Sequence, residues 1–235
     1  MENARDGGLH GVPGQSSNVT PRTVESEILD SLAPDDPAAV HNRRDLRITN
    51  LLMGNHRWLA RTLPQVVRPG ERVLEIAAGT GELAARLERA GLAVDGLDRW
   101  PEPPGWPRAR AWHQTDLLTF DRYGEYPVVI ANLILHQFSD AELAALGRRL
   151  RASVRVLVAC EPLRRRMSQW FYRAAGPLFG AHPVSLHDAH VSIAAGFAGG
   201  ELPEALGFSP DDWAIDCRAA PVGAYHLVAV RRPCS

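Results

Sequence analysis

Val73-Leu74-Glu75-Ile76-Ala77-Ala78-Gly79-Thr80-Gly81, followed by Glu82-Leu83-Ala84, decides how this chain folds. A short apolar run over Arg72 to Ala77 predicts a buried strand. A Gly-rich turn closes it, and Glu82 to Ala90 carries helical periodicity. Gly79 and Gly81 lack a Cβ, so a ligand can approach the backbone closely between strand and helix. Downstream, the strand-helix alternation continues. Ala93 to Leu97 predicts a second strand ending at Asp98, and the four prolines of Trp100 to Pro107 require a loop. Ala111 to Gln114, Val128 to Leu133 and Val154 to Cys160 predict the third, fourth and fifth strands. Asp140 to Arg151 predicts a helix with Ser139 as its N-cap. Near-continuous apolar strands separated by helices indicate an α/β fold whose parallel sheet is covered on both faces.

The two ends of the chain differ from this middle. Trp213 to Arg218 and Ala224 to Val230, joined through Pro221-Val222-Gly223, predict an antiparallel pair closing the sheet edge. Ser168 to Leu206 is expected to form helical insertions. Upstream, Leu46, Ile48, Leu51, Leu52, Trp58, Leu59 and Leu63 fall at helical spacing, with a break at Gly54-Asn55. Val24, Ile28, Leu29 and Leu32 predict an earlier helix ending at Pro34. The expected organisation is a disordered tail over 1–20, a helical lid over 21–67 and the main α/β domain over 68–235.

Composition narrows the chemistry. The 235 residues with 45% hydrophobic content can bury a full core, and the net charge of −1 gives no general attraction to polyanions. The run Arg164-Arg165-Arg166 is read as a solvated helix face, so no nucleic-acid partner is expected. All 26 basic residues are Arg. That excludes Schiff-base chemistry and the phosphate-binding Lys of a P-loop. Cys160, Cys217 and Cys234 lie far apart and indicate neither a disulfide framework nor a metal site. No apolar run reaches membrane-spanning length, and Met1 to Gln15 is unlike a signal peptide, so a soluble cytoplasmic protein is expected.

Two nucleotide classes fit the turn. Gly79-Thr80-Gly81-Glu82-Leu83-Ala84 reads as G-x-G-x-x-A, and Asp98, 17 positions beyond Gly81, can accept ribose hydroxyls in either class. Glu75 discriminates between them. A carboxylate there repels a pyrophosphate, but not a cationic sulfonium and amino group. The preceding helices and the closing antiparallel strands favour the same side. Val73 to Gly81 resembles motif I of the class I S-adenosylmethionine-dependent methyltransferases, (V/L)-(L/V)-(D/E)-x-G-x-G-x-G, with Ala77 at its first Gly. The resemblance spans roughly residues 70 to 160. It implies a Rossmann-like, mostly parallel seven-stranded sheet with an antiparallel closing strand, and S-adenosylmethionine as cofactor. Glu75, Ala77, Gly79, Gly81, Asp98, Asp116 and Asn132 would line the cofactor, with Met53 and Asn55 contributed by the lid.

The acceptor side is read from the fourth strand. Asn132-Leu133-Ile134-Leu135 is unlike the (N/D)-P-P-(Y/F) of enzymes that methylate adenine or protein amides. Leu135-His136-Gln137-Phe138-Ser139-Asp140 resembles the L-H-D-W-S-D segment of small-molecule O-methyltransferases of the plant phenolic type. That resemblance makes His136 the general base and Glu161 the acid that orients it, acting on a small phenol or enol. Gln137 replaces the Asp of that pattern, and the dimerisation domain of the plant enzymes is missing. A carbon acceptor, a cofactor-binding regulator and a nicotinamide oxidoreductase remain alternatives. His187 and His190 are rival bases. Trp170, Phe171, Tyr172 and Phe179 are the expected substrate walls.

Overall fold

The computed structural model describes residues 21–25, 36–165 and 183–233. Helices α1 (Pro37–Met53) and α2 (Asn55–Val66) come first. They are followed by β1 (Val73–Ile76), α3 (Glu82–Arg89), β2 (Val94–Asp98), β3 (Trp112–Gln114), β4 (Val128–Asn132) and α4 (Asp140–Ser153). The chain then forms β5 (Val156–Pro162), α5 (Pro183–Ala195), α6 (Glu201–Ala205), β6 (Trp213–Ala219) and β7 (Ala224–Arg231). The seven strands form one sheet in the order β3-β2-β1-β4-β5-β7-β6. β1 to β5 pair in parallel, and β7 inserts antiparallel between β5 and β6. The expected mostly parallel sheet with an antiparallel closure is therefore observed.

Strand alternation divides the core into two layers. Leu74, Ile76, Val129, Ala131, Leu157, Ala159, Leu227 and Ala229 face one side, where Leu143, Leu146 and Leu150 of α4 cover them. Val73, Val128, Ile130, Val156, Val158 and Cys160 face the other, beneath Leu83, Ala84 and Leu87 of α3 and Leu59 and Leu63 of α2. α2 is thus a layer of the domain itself. Gly54, at φ 71°, makes the break between α1 and α2, a conformation glycine adopts without a Cβ penalty.

Local signals account for the element ends. Ser139 and Glu142 form a reciprocal capping box at the start of α4. Asp140 and Glu142 occupy its first turn and Arg151 its last, both favourable to the helix dipole. β5 begins at Val156, two residues later than expected, because the Val154 amide still bonds to Leu150 at the end of α4. It continues to Pro162, so Glu161 lies within the strand. The earlier helix expected from Val24 falls mostly outside the described residues, as do the four aromatic wall residues and Cys234. Residues 21–25 are not helical.

Arg164 corrects one expectation. It is buried rather than part of a solvated helix face, bonding to the Gly196 carbonyl at 2.7 Å and pairing with Glu201. A guanidinium that close to an apolar core is held only because each of these donors finds an acceptor.

The α4–α6 contact depends on the absence of a side chain. A Cβ on Gly147 would lie 2.0 Å from the backbone oxygen of Leu206. Gly147→Ala is therefore expected to destabilise the fold by about 3 kcal/mol, since backbone cannot swing aside as a side chain can. A melting temperature within 2 °C of wild type would disprove this close approach, because about 3 kcal/mol corresponds to roughly 6–12 °C in a chain of this size.

Candidate active site

Strand order reverses between β1 and β4, and the candidate residues gather at the carboxyl ends of the strands flanking that point. Glu75 lies in β1, Asp98 ends β2, Asn132 ends β4 and Glu161 lies one residue from the end of β5. A cleft of about 730 Å³ lined by Pro64, Arg68, Gly70, Arg72 and Arg110 opens at the opposite, amino end of the strands. None of the candidate residues lines it.

The turn after β1 is built from left-handed backbone. Ala77, Gly79 and Gly81 have φ of 55°, 54° and 74°. A Cβ on Gly79 would meet nothing within 4 Å, whereas one on Gly81 would strike Trp106 at 2.9 Å. The motif's first Gly is thus a conformational requirement as well as one of close approach, and Ala77 meets it under strain. An L-residue in this region costs roughly 1–2 kcal/mol, and glycine loses about 0.5–1 kcal/mol of chain entropy. Ala77→Gly is accordingly expected to stabilise the protein by at most about 1.5 kcal/mol. A clear destabilisation in denaturant melts would contradict that backbone geometry.

The carboxyl groups around the turn differ in environment. Asp98 accepts the Gly79 amide at 2.8 Å through one oxygen and the Trp100 amide at 2.9 Å through the other, tying the end of β2 to the turn. Glu75 is buried, and its Oε2 has no hydrogen-bond partner among the described residues. Burial pushes its carboxyl up to about 8, and neighbouring Asp98 adds to the effect, against a bond from the Ala84 amide in α3. Asp116 accepts the Leu118 amide at 2.8 Å, a local turn following β3.

Three asparagines meet above β4. Asn132 Nδ2 donates to Asn50 Oδ1 at 3.0 Å, and Asn55 Nδ2 reaches both Asn50 and Asn132 at 3.2 Å. Asn55 is fully buried, and its Oδ1 has no partner among the described residues. Met53 is buried at the end of α1. Arg47, in the charged stretch of that helix, pairs with Glu82 at 2.6 Å. Asn50 escaped the sequence reading, since its partner Asn132 lies 82 positions away. His226 escaped too. It stacks on Trp58 at 4.0 Å, and burial lowers its imidazole to about 4, so it is neutral at pH 7.

His136 and Glu161 meet as expected, both buried. Glu161 receives the amides of Ile134 and Leu135 on Oε1 at 3.2 and 2.9 Å, and that of His136 on Oε2 at 3.2 Å. The same Oε2 lies 2.7 Å from His136 Nδ1. A carboxylate only accepts, so Nδ1 carries the proton and Nε2 is the basic nitrogen. Leu133, at φ 57°, turns the chain from β4 into this 3-10 turn. His187 and His190, by contrast, are exposed on α5. Among the described residues no group of three metal-binding side chains is close enough to hold an ion.

Comparison with solved structures gives the fold its name. The plantazolicin methyltransferase BpumL in complex with SAH superposes with a TM-score of 0.62 over 85% of this chain and 92% of that one, at 13% identity. The fold is that of the class I methyltransferases. The pyocyanin biosynthetic protein PhzM matches this methyltransferase fold with a TM-score of 0.56 and 19% identity, over 88% of this chain and 62% of that one. A structure from echinomycin biosynthesis, concerning conversion of a disulfide bond into a thioacetal group, gives 0.53 and 21% identity over 76% and 80%. No protein-family model matches the chain, and no curated protein matches it by sequence. Among the described residues, no helix is long and apolar enough to cross a membrane.

Proposed function

We propose that the chain is an S-adenosylmethionine-dependent methyltransferase acting on the hydroxyl of a small phenol or enol, with His136 as general base. The observation that carries this reading is the buried His136–Glu161 pair, 2.7 Å apart, at the same sheet end as the glycine turn. The residues present fit the cofactor. Glu75 Oε2 is a buried acceptor with no partner among the described residues, suited to a cation, and Gly79 leaves its backbone open to approach. Asp98 would receive the ribose hydroxyls, Glu75 and Asn132 would face the amino-acid end, and Asn55 with Met53 would close over it. Asp116 would reach the adenine.

When bound, the cofactor supplies a methyl group already activated on a sulfonium. The protein's own task is then alignment, exclusion of water and removal of one proton. A phenol of pKa ~10 is neutral at pH 7, and an imidazole of pKa ~6.5 can take its proton as the oxygen forms its new bond. His136 Nε2 takes that proton, while Glu161 holds the ring and stabilises the resulting imidazolium. The neighbours' associations with plantazolicin, pyocyanin and echinomycin support a small-molecule acceptor from secondary metabolism.

Calorimetric titration with S-adenosylmethionine and, separately, NADH tests the cofactor. Micromolar binding of the former alone is expected, and a folded protein that binds neither would end the enzyme reading. Phenolic acceptors are then screened by release of the demethylated cofactor.

A further inference from the structure

Outside the catalytic pair, one side chain touches more of the site's backbone than its place in the sequence suggests. Arg22 belongs to the short described segment 21–25, which runs along the end of α5, where the Thr23 amide bonds to the Ala194 carbonyl at 3.3 Å. Its guanidinium donates from Nε to the Ala195 carbonyl at 2.8 Å and from Nη1 to Asp140 at 2.8 Å. From Nη2 it reaches the carbonyls of His136 at 2.9 Å and Phe138 at 2.5 Å. Its Cζ lies 4.8 Å from the centre of the Phe197 ring. Only 12% of the side chain is exposed, whereas Asp140 is 81% exposed.

The 134–138 turn is therefore gripped from two sides. Its amides point to the Glu161 carboxylate and its carbonyls to the Arg22 guanidinium, so its peptide dipoles are aligned between opposite charges. A planar fork with five donors can satisfy several carbonyls at once; a Lys ammonium cannot match that geometry. Charge-assisted bonds of this kind are roughly twice as strong as neutral ones.

We propose that Arg22 is a positioning residue that locks the His136 turn from outside, keeping Nδ1 on Glu161. The inference rests on the reading of His136 as the base. Arg22 acts through the backbone of the turn and touches no reacting atom. It also makes the N-terminal segment part of the site, since among the described residues that segment brings the guanidinium to these carbonyls.

NMR of the full chain labelled with ¹⁵N-histidine tests this, the His136 signals being identified by their loss in His136→Gln. Wild type is expected to show Nδ1 protonated and Nε2 unprotonated. In Arg22→Ala the His136 signals should move toward an average of the two tautomers, and added guanidinium, far below denaturing concentrations, should restore them. Arg22→Lys should restore them partly, and Asp140→Asn should leave them as in wild type. Wild-type His136 signals in Arg22→Ala would overturn the proposal. So would a general shift of all nine histidines, which would make Arg22 a plain structural support. Because this readout needs no turnover, it is separable from the base assignment. If His136→Ala stays active while Arg22→Ala frees the imidazole, the lock stands and the base reading falls.

Discussion

His136→Ala is expected to lower turnover by about 10²- to 10⁴-fold, the usual contribution of a positioned general base. S-adenosylmethionine affinity should change by less than about threefold, because His136 faces the acceptor in the proposed mechanism. Glu161→Gln should cost more than loss of the base alone. It turns one carboxylate oxygen into an NH2 donor, so either the Ile134 and Leu135 amides or the His136 amide and Nδ1 face a donor, and the turn or the tautomer is disturbed. A buried carboxylate with four donors is also structural, so Glu161→Gln is expected to lower the melting temperature, whereas His136→Ala changes it less. Full turnover in His136→Ala would remove the oxygen-acceptor mechanism. A carbon acceptor, already acidic as an enol, would then become the better reading.

The second large effect concerns Glu75. Its carboxyl is raised from 4.5 to about 8, so it is mostly protonated in the folded protein at pH 7. The folded state holds that proton more tightly than the unfolded chain does. The stability contributed by Glu75 is therefore full below about pH 4.5, falls as pH rises through about 8, and is level beyond. Glu75→Gln, which keeps the shape without the charge, should match wild type near pH 4.5. By pH 9 it should be the more stable by about 3–5 kcal/mol, taking roughly 1.4 kcal/mol for each unit of displacement. Thermal melts at the two pH values give the comparison. An equal difference at both would show that Glu75 titrates normally.

The same substitution should weaken S-adenosylmethionine binding by about 10- to 100-fold, or about 1.4 to 2.7 kcal/mol, the scale of one lost charge interaction in a partly dry site. Binding of a cation beside Glu75 should expel its proton at pH 7. Titrations in buffers of different ionisation heat would detect that proton in wild type and not in Glu75→Gln. A wild-type titration with no proton release would show that the cofactor's charge lies elsewhere.

The strands were legible because their apolar runs are continuous, as expected of a parallel sheet buried on both faces. The α1–α2 break was legible from Gly54-Asn55. Glu161 was harder to place, since a charge at the end of an apolar run looks like its terminus. In the structure the strand continues because β7 pairs with Glu161 and Pro162 through Tyr225 and Ala224. The residues that were missed share one property: their partners are remote in sequence. Arg22 lies 114 positions from His136, Asn50 lies 82 from Asn132, and Arg164 meets Glu201 across 37. No local period encodes such pairings. A buried guanidinium and an exposed one are identical in sequence until tertiary structure brings carbonyls around them.

The insertion of β7 between β5 and β6 has a consequence for how the protein is made. β5 carries Glu161 near its carboxyl end, yet its second neighbour is β7, the last strand among the described residues. During synthesis β1 to β5 emerge before β7, which follows them in the chain. The half-sheet must then wait with an open edge of unpaired amides and carbonyls, a surface prone to pairing with other chains. Pairing of β5 on that side, and with it the seating of Glu161, therefore waits for the later strand. Expression at lower temperature, which slows association of such intermediates, should raise the soluble yield, and deletions reaching into 224–231 should yield aggregate rather than a weakened enzyme.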